Sequence, residues 1–287
     1  MQKKLFKLAI KIALTGLALY LVYHKIDWTK TKIIFGSIHY GWLALGFLVF
    51  TLSRIVGALR LNLYFTQTGL NLSEIVNLKL YYLGMFYNLF LPGGIGGDGY
   101  KIYFLNKYYQ VRKIPLLKAT LLDRISGLYA LLFLAALTFS FSTFIARFEL
   151  NILWPIMTAL FIFPLSYLLN LLFFKIFLPI FTSSTLYAVL LQGLQVVSAL
   201  FILYALQENR FIFDYLTIFL ISSLVAVLPV SIGGIGAREL TFIYLFEFLE
   251  RDYNTGVALS VLFFMFTFIS SLWGALYIHI SPHRPNT

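Results

Sequence analysis

Cysteine is absent from this chain, which excludes disulfide bonds and thiol chemistry. Charge is scarce too: Asp, Glu, Lys and Arg together make up 11% of residues, against roughly 25% in a soluble domain. Too few charges are present to build a water-exposed surface. The four histidines, His24, His39, His279 and His283, are scattered and share no metal-ligand spacing, so neither a metal nor a cofactor is expected. No linker, low-complexity tract or long polar loop interrupts these 287 residues, so a soluble catalytic domain is not expected among them. No basic, aromatic-interleaved soluble segment exists either, which argues against a nucleic-acid partner.

What is present is apolar. Hydrophobic residues make up 60% of the 287, aromatics 18%, and the mean hydropathy is +0.87. An integral membrane protein is the class that fits, and its unit is the apolar span of about 20 residues. Runs of that kind occupy 5–23, 41–65, 115–141, 152–174, 186–206 and 255–280. A short interfacial helix is expected around Trp28. The run at 5–23 has no cleavage-site pattern of small residues, so it reads as a retained first span.

Two further stretches are copies of one another. Leu91-Pro92-Gly93-Gly94-Ile95-Gly96-Gly97-Asp98-Gly99-Tyr100-Lys101 recurs as Leu228-Pro229-Val230-Ser231-Ile232-Gly233-Gly234-Ile235-Gly236-Ala237-Arg238, at an offset of 137 residues (228 − 91) and with six of eleven positions identical. Proline removes a donor and glycine admits backbone angles other residues avoid, so each copy should break a helix. Inside a bilayer a broken backbone survives only where protein buries it or where it lines a wet cavity. Matching interruptions in two halves point to a transport site.

The same offset carries 41–65 onto 178–202 and 115–141 onto 252–278, so the duplication extends beyond the motif. The expected architecture is an all-α polytopic membrane protein: about six full spans plus two Pro/Gly-tipped re-entrant hairpins, arranged as two inverted repeats. A single membrane domain is expected, with a first span and interfacial loop at 1–40, repeat one at 41–141, a connecting span at 152–174 and repeat two at 183–280. Fully spanning motif segments would instead make the halves parallel.

Basic residues outnumber acidic ones by 22 to 11, a net charge of +11. Positive-inside topology accounts for most of that surplus, and an anionic substrate is the alternative source. With the N-terminus in the cytoplasm, eleven basic residues fall on cytoplasmic loops and six outside.

In each motif the glycines precede a helix that carries a cation in its first turn, Lys101 or Arg238. Exposed N–H groups and the helix dipole make such a terminus an anion site, and a cation there wants an anion between itself and the dipole. Arg54 and Arg60 lie within the second span, where charge costs about 2.5–3.5 kcal/mol on insertion scales. Arg54, near mid-span, is the stronger candidate for a role, and Arg60 is expected to snorkel to a span end. Asp123 and Arg124 are adjacent on a helix and cannot face each other, so each pairs elsewhere or meets water. The phosphate-binding candidates are therefore Arg54, Lys101, Arg124 and Arg238. Asp98, Asp123 and Glu239 are the charge partners or proton carriers: Asp98 as a helix cap, Glu239 beside a basic residue on a neighbouring span. The glycines and prolines have a purely structural alternative, tight reversal and close helix packing.

Asn88-x-x-x-Pro92-Gly93-Gly94-Ile95-Gly96-Gly97-Asp98, Asp123-Arg124 with Gly127, and Pro229-x-Ser231-Ile232-Gly233-Gly234-Ile235-Gly236-x-Arg238-Glu239 together resemble the lysylphosphatidylglycerol synthase transmembrane-domain family, the flippase-like membrane half of the multiple peptide resistance factor. The resemblance implies a bacterial or archaeal inner-membrane protein that moves lipids between leaflets, with an anionic phospholipid or a polyprenyl-phosphate-linked lipid as substrate. Lys101 stands where family members often carry Arg, which keeps the charge and loses bidentate contact. No aminoacyl-transferase domain is expected, so lipid lysylation is not implied. Three other classes stay open: a secondary transporter of a small anionic solute, a lipid-modifying membrane enzyme, and a non-catalytic partner that recruits a glycosyltransferase or another lipid-modifying enzyme.

Overall fold

The computed structural model describes residues 15–90, 96–227 and 234–279. It is 84% helical, and the described residues contain no strand. Helix α1 is described over 15–25. There follow α2 (Trp28–Gly36), α3 (Tyr40–Thr66), α4 (Glu74–Phe90), α5 (Gly96–Tyr109), α6 (Lys113–Phe139), the single turn α7 (Phe144–Arg147), α8 (Leu153–Phe173), a 3-10 helix (Lys175–Ile180), α9 (Phe181–Ala205), α10 (Ile212–Val227), α11 (Ala237–Phe248), α12 (Asn254–Leu272) and a second 3-10 helix (Trp273–Tyr277).

Five segments are long and apolar enough to cross a membrane: Tyr40–Thr66, Lys113–Phe139, Leu153–Phe173, Lys175–Ala205 and Asn254–Tyr277. These are five of the six expected spans, and the sixth lies partly outside the described residues. Their outer faces carry large apolar side chains, such as Trp154 at 70% exposure and Phe161 at 68%, which lipid rather than water accommodates. The protein is thus an all-α, multi-pass membrane protein. A short helix is present around Trp28, as expected: α2, whose N-terminus Asp27 caps by accepting from the N–H groups of Thr29 and Lys30.

One boundary differs from expectation. The fourth of these segments starts at Lys175, eleven residues before 186, because the polar run Thr182–Thr185 is helical. Ser184 donates to the Phe181 carbonyl and so meets its polar need within its own helix. Adding 137 to the bounds of α3 and α4 gives 177–203 and 211–227, beside the observed 175–205 and 212–227. The bounds of α5 and α6 become 233–246 and 250–276, beside 237–248 and 254–277.

The chain divides into two compact units. Unit 1 comprises Met1–Phe50, Leu131–Ile162 and Gly193–Phe266; unit 2 comprises Thr51–Ala130, Phe163–Gln192 and Thr267–Thr287. The core of unit 1 is aromatic: Phe263 meets Phe50 edge-on at 5.3 Å and Phe219 at 4.7 Å. Small residues bring its helices together, with Ser198 of α9 donating to the Gly46 carbonyl of α3 at 2.8 Å. Unit 2 packs Leu61, Tyr64, Phe65, Leu80, Phe104 and Phe177. In unit 2 the Asn77 amide of α4 donates to the Ala58 carbonyl of α3 at 2.6 Å, and Gly274 of the last 3-10 helix lies against the backbone of Tyr82.

Candidate functional site

Unit 2 contains the first helix pair. Helix α4 packs against α5, and the closest approach is at Gly84 and Gly97, where a Cβ on Gly97 would overlap the Gly84 carbonyl. The free N–H of Gly97 is taken up by the Asn88 side-chain oxygen at 2.8 Å. Asn88, not Asp98, thus serves the helix start, and Asp98 sits inside the first turn with another task. Its carboxylate bridges two cations, Lys101 at 2.8 Å and Arg124 of α6 at 2.5 Å. Lys101 is 5% exposed; its stem lies over Gly84 and its ammonium 5.6 Å from the centre of the Tyr81 ring. Arg124 is the more accessible, with 39% of its side chain exposed.

The two neighbours Asp123 and Arg124 diverge as helix geometry requires. Asp123 accepts from Arg60 of α3 at 2.8 Å. This corrects the expectation for Arg60. It does not snorkel: its side chain is 7% exposed and ion-paired, and Gly127 leaves room beside its guanidinium. A cation held away from water needs its partner more than it needs a span end. Arg54 is half-buried on α3 within electrostatic reach of Tyr82. Gly96 opens α5, while Pro92, Gly93 and Gly94 lie outside the described residues.

Unit 1 contains the second pair, α10 packed against α11. Gly234 and Gly236 have φ of +82° and +80°, the left-handed region that glycine enters without penalty. Arg238, in the first turn of α11, donates to the Ser223 hydroxyl of α10 at 2.7 Å. Its guanidinium lies 5.8 Å from the Phe219 ring centre and 5.3 Å from that of Phe263. Glu239 was expected beside a basic residue on a neighbouring span. Instead it reaches back to the Gly236 N–H at 2.7 Å and accepts from the Ser260 hydroxyl of α12 at 2.6 Å. The first bond closes the helix start in the manner of a capping box. Pro229, Ser231 and Gly233 lie outside the described residues.

At matching repeat positions the contacts among the described residues differ: a carboxylate pairs with the cation at 101, and a hydroxyl and two aromatic rings lie beside the one at 238. The family model described as Lysylphosphatidylglycerol synthase TM region matches residues 8–274. The chain belongs to that family. A comparison with curated proteins gives no match. Membership and the membrane-spanning helices together place the chain among membrane proteins of lipid-related function.

Several residues of this family member carry weight that sequence reasoning missed. Ser223 and Ser260 looked like ordinary small residues in apolar helices. Ser260 stands at the repeat position of Asp123 (123 + 137), which is the one signal that singles it out. Asp214 is 1% exposed and accepts from the backbone and hydroxyl of Thr143 and from Arg251, whose guanidinium lies 3.5 Å from the centre of the Phe211 ring. It ties α7, α10 and the turn before α12 together, a structural task. Among the described residues no three His, Asp or Glu side chains converge as metal ligands.

Proposed function

We propose that the protein moves an anionic lipid, a phospholipid or a polyprenyl-phosphate-linked lipid, between the leaflets of the cytoplasmic membrane. The observation that carries this reading is the repeated cation near the start of a short helix, Lys101 at the sixth residue of α5, a turn deeper than the sequence suggested, and Arg238 at the second residue of α11. At 14 and 12 residues these helices are about 21 and 18 Å long, short of the roughly 30 Å hydrocarbon core. That supports re-entrant hairpins, each bringing a helix start and a cation to intramembrane depth, where a lipid phosphate satisfies both.

The lipid phosphate enters on Arg124, the accessible edge of the Asp98 cluster, and competes with Asp98 for Arg124 and Lys101. Asp98 pairs with both cations when the site is empty and leaves one positive charge over, which the lipid phosphate compensates. Arg54 extends the cationic lining on α3. Arg238 offers the second phosphate position, its guanidinium oriented by Ser223, while Glu239 holds the helix start. The lysines and arginines at 107–118 and Lys175 face the cytoplasm, as does the N-terminus, by the positive-inside rule.

Leaflet exchange in proteoliposomes tests the reading, with fluorescent phosphatidylglycerol, a zwitterionic lipid, a polyprenyl phosphate and a water-soluble organic anion in parallel. An anionic lipid is expected to move, and Arg238→Ala is expected to abolish the movement while the protein stays folded. Arg238→Lys keeps the charge and should retain part of it. Movement of the soluble anion alone, or anionic-lipid exchange indifferent to Arg238→Ala, would sink the proposal.

A further inference from the structure

Charge is distributed unequally between the units, and the inequality exposes a second lipid site. Unit 2 has eleven basic residues against three acidic ones, a surplus of eight; unit 1 has eleven against eight, a surplus of three. All three acids of unit 2 are engaged inside it: Glu74 with the Asn62 amide, Asp98 with Lys101 and Arg124, Asp123 with Arg60. Among the described residues Arg112, Lys113, Lys118 and Lys175 make no ion pair and no side-chain hydrogen bond. Their anions have to come from elsewhere.

Two of the four, Lys118 and Lys175, line one groove in unit 2, between the start of α6 and the break where α8 gives way to the 3-10 helix. Its walls are apolar: Ile114 from α6, Leu172 and Phe173 from the end of α8, and Ile176 beyond it. Each of these four is more than half exposed, Ile114 at 70% and Phe173 at 63%. At about 390 Å³ the groove falls in the range of small-ligand pockets, enough for a stretch of acyl chain. Arg112 and Lys113 immediately precede the lining residue Ile114 and add charge at the same end of α6.

We infer that this groove holds a resident anionic phospholipid, its phosphate between Lys118 and Lys175 and an acyl chain along Ile114, Leu172, Phe173 and Ile176. A zwitterionic headgroup carries its own cation and would leave the two ammonium groups uncompensated. An anionic headgroup pairs with them, and the lysine stems cover apolar surface as they reach it. The lipid here is a fixed ligand of the fold, so the inference does not depend on whether the protein transports lipid.

Native mass spectrometry of delipidated protein, titrated with phosphatidylglycerol and with phosphatidylcholine, tests it. Phosphatidylglycerol should bind more tightly to the wild type. The Lys118→Gln/Lys175→Gln variant should lose roughly thirty-fold in that affinity, about five-fold for each lysine near the headgroup, with phosphatidylcholine binding unchanged. A Lys118→Arg/Lys175→Arg variant should keep the preference, and thermal unfolding without lipid verifies that each variant is folded. Equal binding of the two lipids, a preference that survives removal of both lysines, or competition by inorganic phosphate as effective as the lipid would each overturn the inference.

Discussion

The two helix pairs answer the same difficulty, a cation near the start of a membrane helix, in different ways. In unit 2 the answer is electrostatic: Asp98 sits three residues before Lys101 and also takes Arg124, while the next acid, Asp123, takes Arg60. In unit 1 the answer is polar and aromatic: Ser223 accepts from Arg238, two phenylalanine rings lie near it, and the adjacent acid is occupied with the helix start and Ser260. Duplicated elements thus keep their bounds and diverge in chemistry. Three of the eight acids of unit 1 go to peripheral cations, Lys25–Glu247, Lys30–Asp252 and Arg147–Glu250, and the buried Asp214 takes Arg251, whereas all three acids of unit 2 are engaged inside it.

The largest expected effect separates the two reversals. At Gly97 a Cβ would overlap backbone, the Gly84 carbonyl, which cannot step aside without parting α4 from α5. At Gly234 the nearest obstacle is the Ala226 Cβ at 2.7 Å, and the left-handed φ adds a penalty of about 1–2 kcal/mol. Gly97→Ala should cost more than about 4 kcal/mol and prevent accumulation of folded protein. Gly234→Ala should lower the unfolding midpoint in detergent and still yield folded material. Equal behaviour of the two variants would mean that the close approach at Gly84 is not what closes the first pair.

The next effect tests repeat positions 123 and 260. Asp123→Asn leaves the Arg60 guanidinium buried with no carboxylate opposite it, a loss of about 3–5 kcal/mol. Removing both charges, with Arg60→Met and Asp123→Leu, should recover much of that, since well-packed apolar replacements of buried pairs are often near neutral. Ser260→Ala removes one hydrogen bond to a carboxylate that keeps its bond to Gly236, worth about 1.5–3 kcal/mol. Chemical unfolding of the variants in detergent measures the difference. Asp123→Asn no worse than Ser260→Ala would break the contrast between the units.

Much of this was legible before any coordinates. Apolar runs of span length, the Pro/Gly interruptions and the 137-residue offset fix which segments are helices and where they break. The adjacency of Asp123 and Arg124 already requires two separate partners. What could not be read was depth and direction. Position along the span favoured Arg54 for a role and a span end for Arg60, and only the approach of α6 to α3 shows that Arg60 is the one locked to Asp123. Thr182–Thr185 looks like a polar boundary because the bond from Ser184 to its own helix cannot be seen in composition. Glu239 was assigned a cation since carboxylates in membranes usually have one, and a backbone N–H with a hydroxyl satisfied it instead.

The smallest effect concerns the peripheral ion pairs of unit 1, where solvent should weaken what burial strengthens in unit 2. Burial of Asp252 disfavours its charged form, but donation from the Asn254 backbone, from Lys30 and from the Asn254 side chain outweighs it, and the carboxyl is held below its ordinary value of 3.8. A carboxyl with a depressed folded value contributes stability that is present above the unfolded value and fades as pH falls through the folded one. Wild-type protein should therefore lose a little stability on acidification from about pH 5 to about pH 3, and Asp252→Asn should lose less over the same interval. Lys30 and Asp252 are both more than half exposed, so the difference should also shrink as salt is raised. The same salt series on Asp123→Asn is the contrast that matters. If raising salt weakens the Arg60–Asp123 contribution as much as that of Lys30–Asp252, water reaches the interior pair, and the division between a committed interior and a solvated periphery fails.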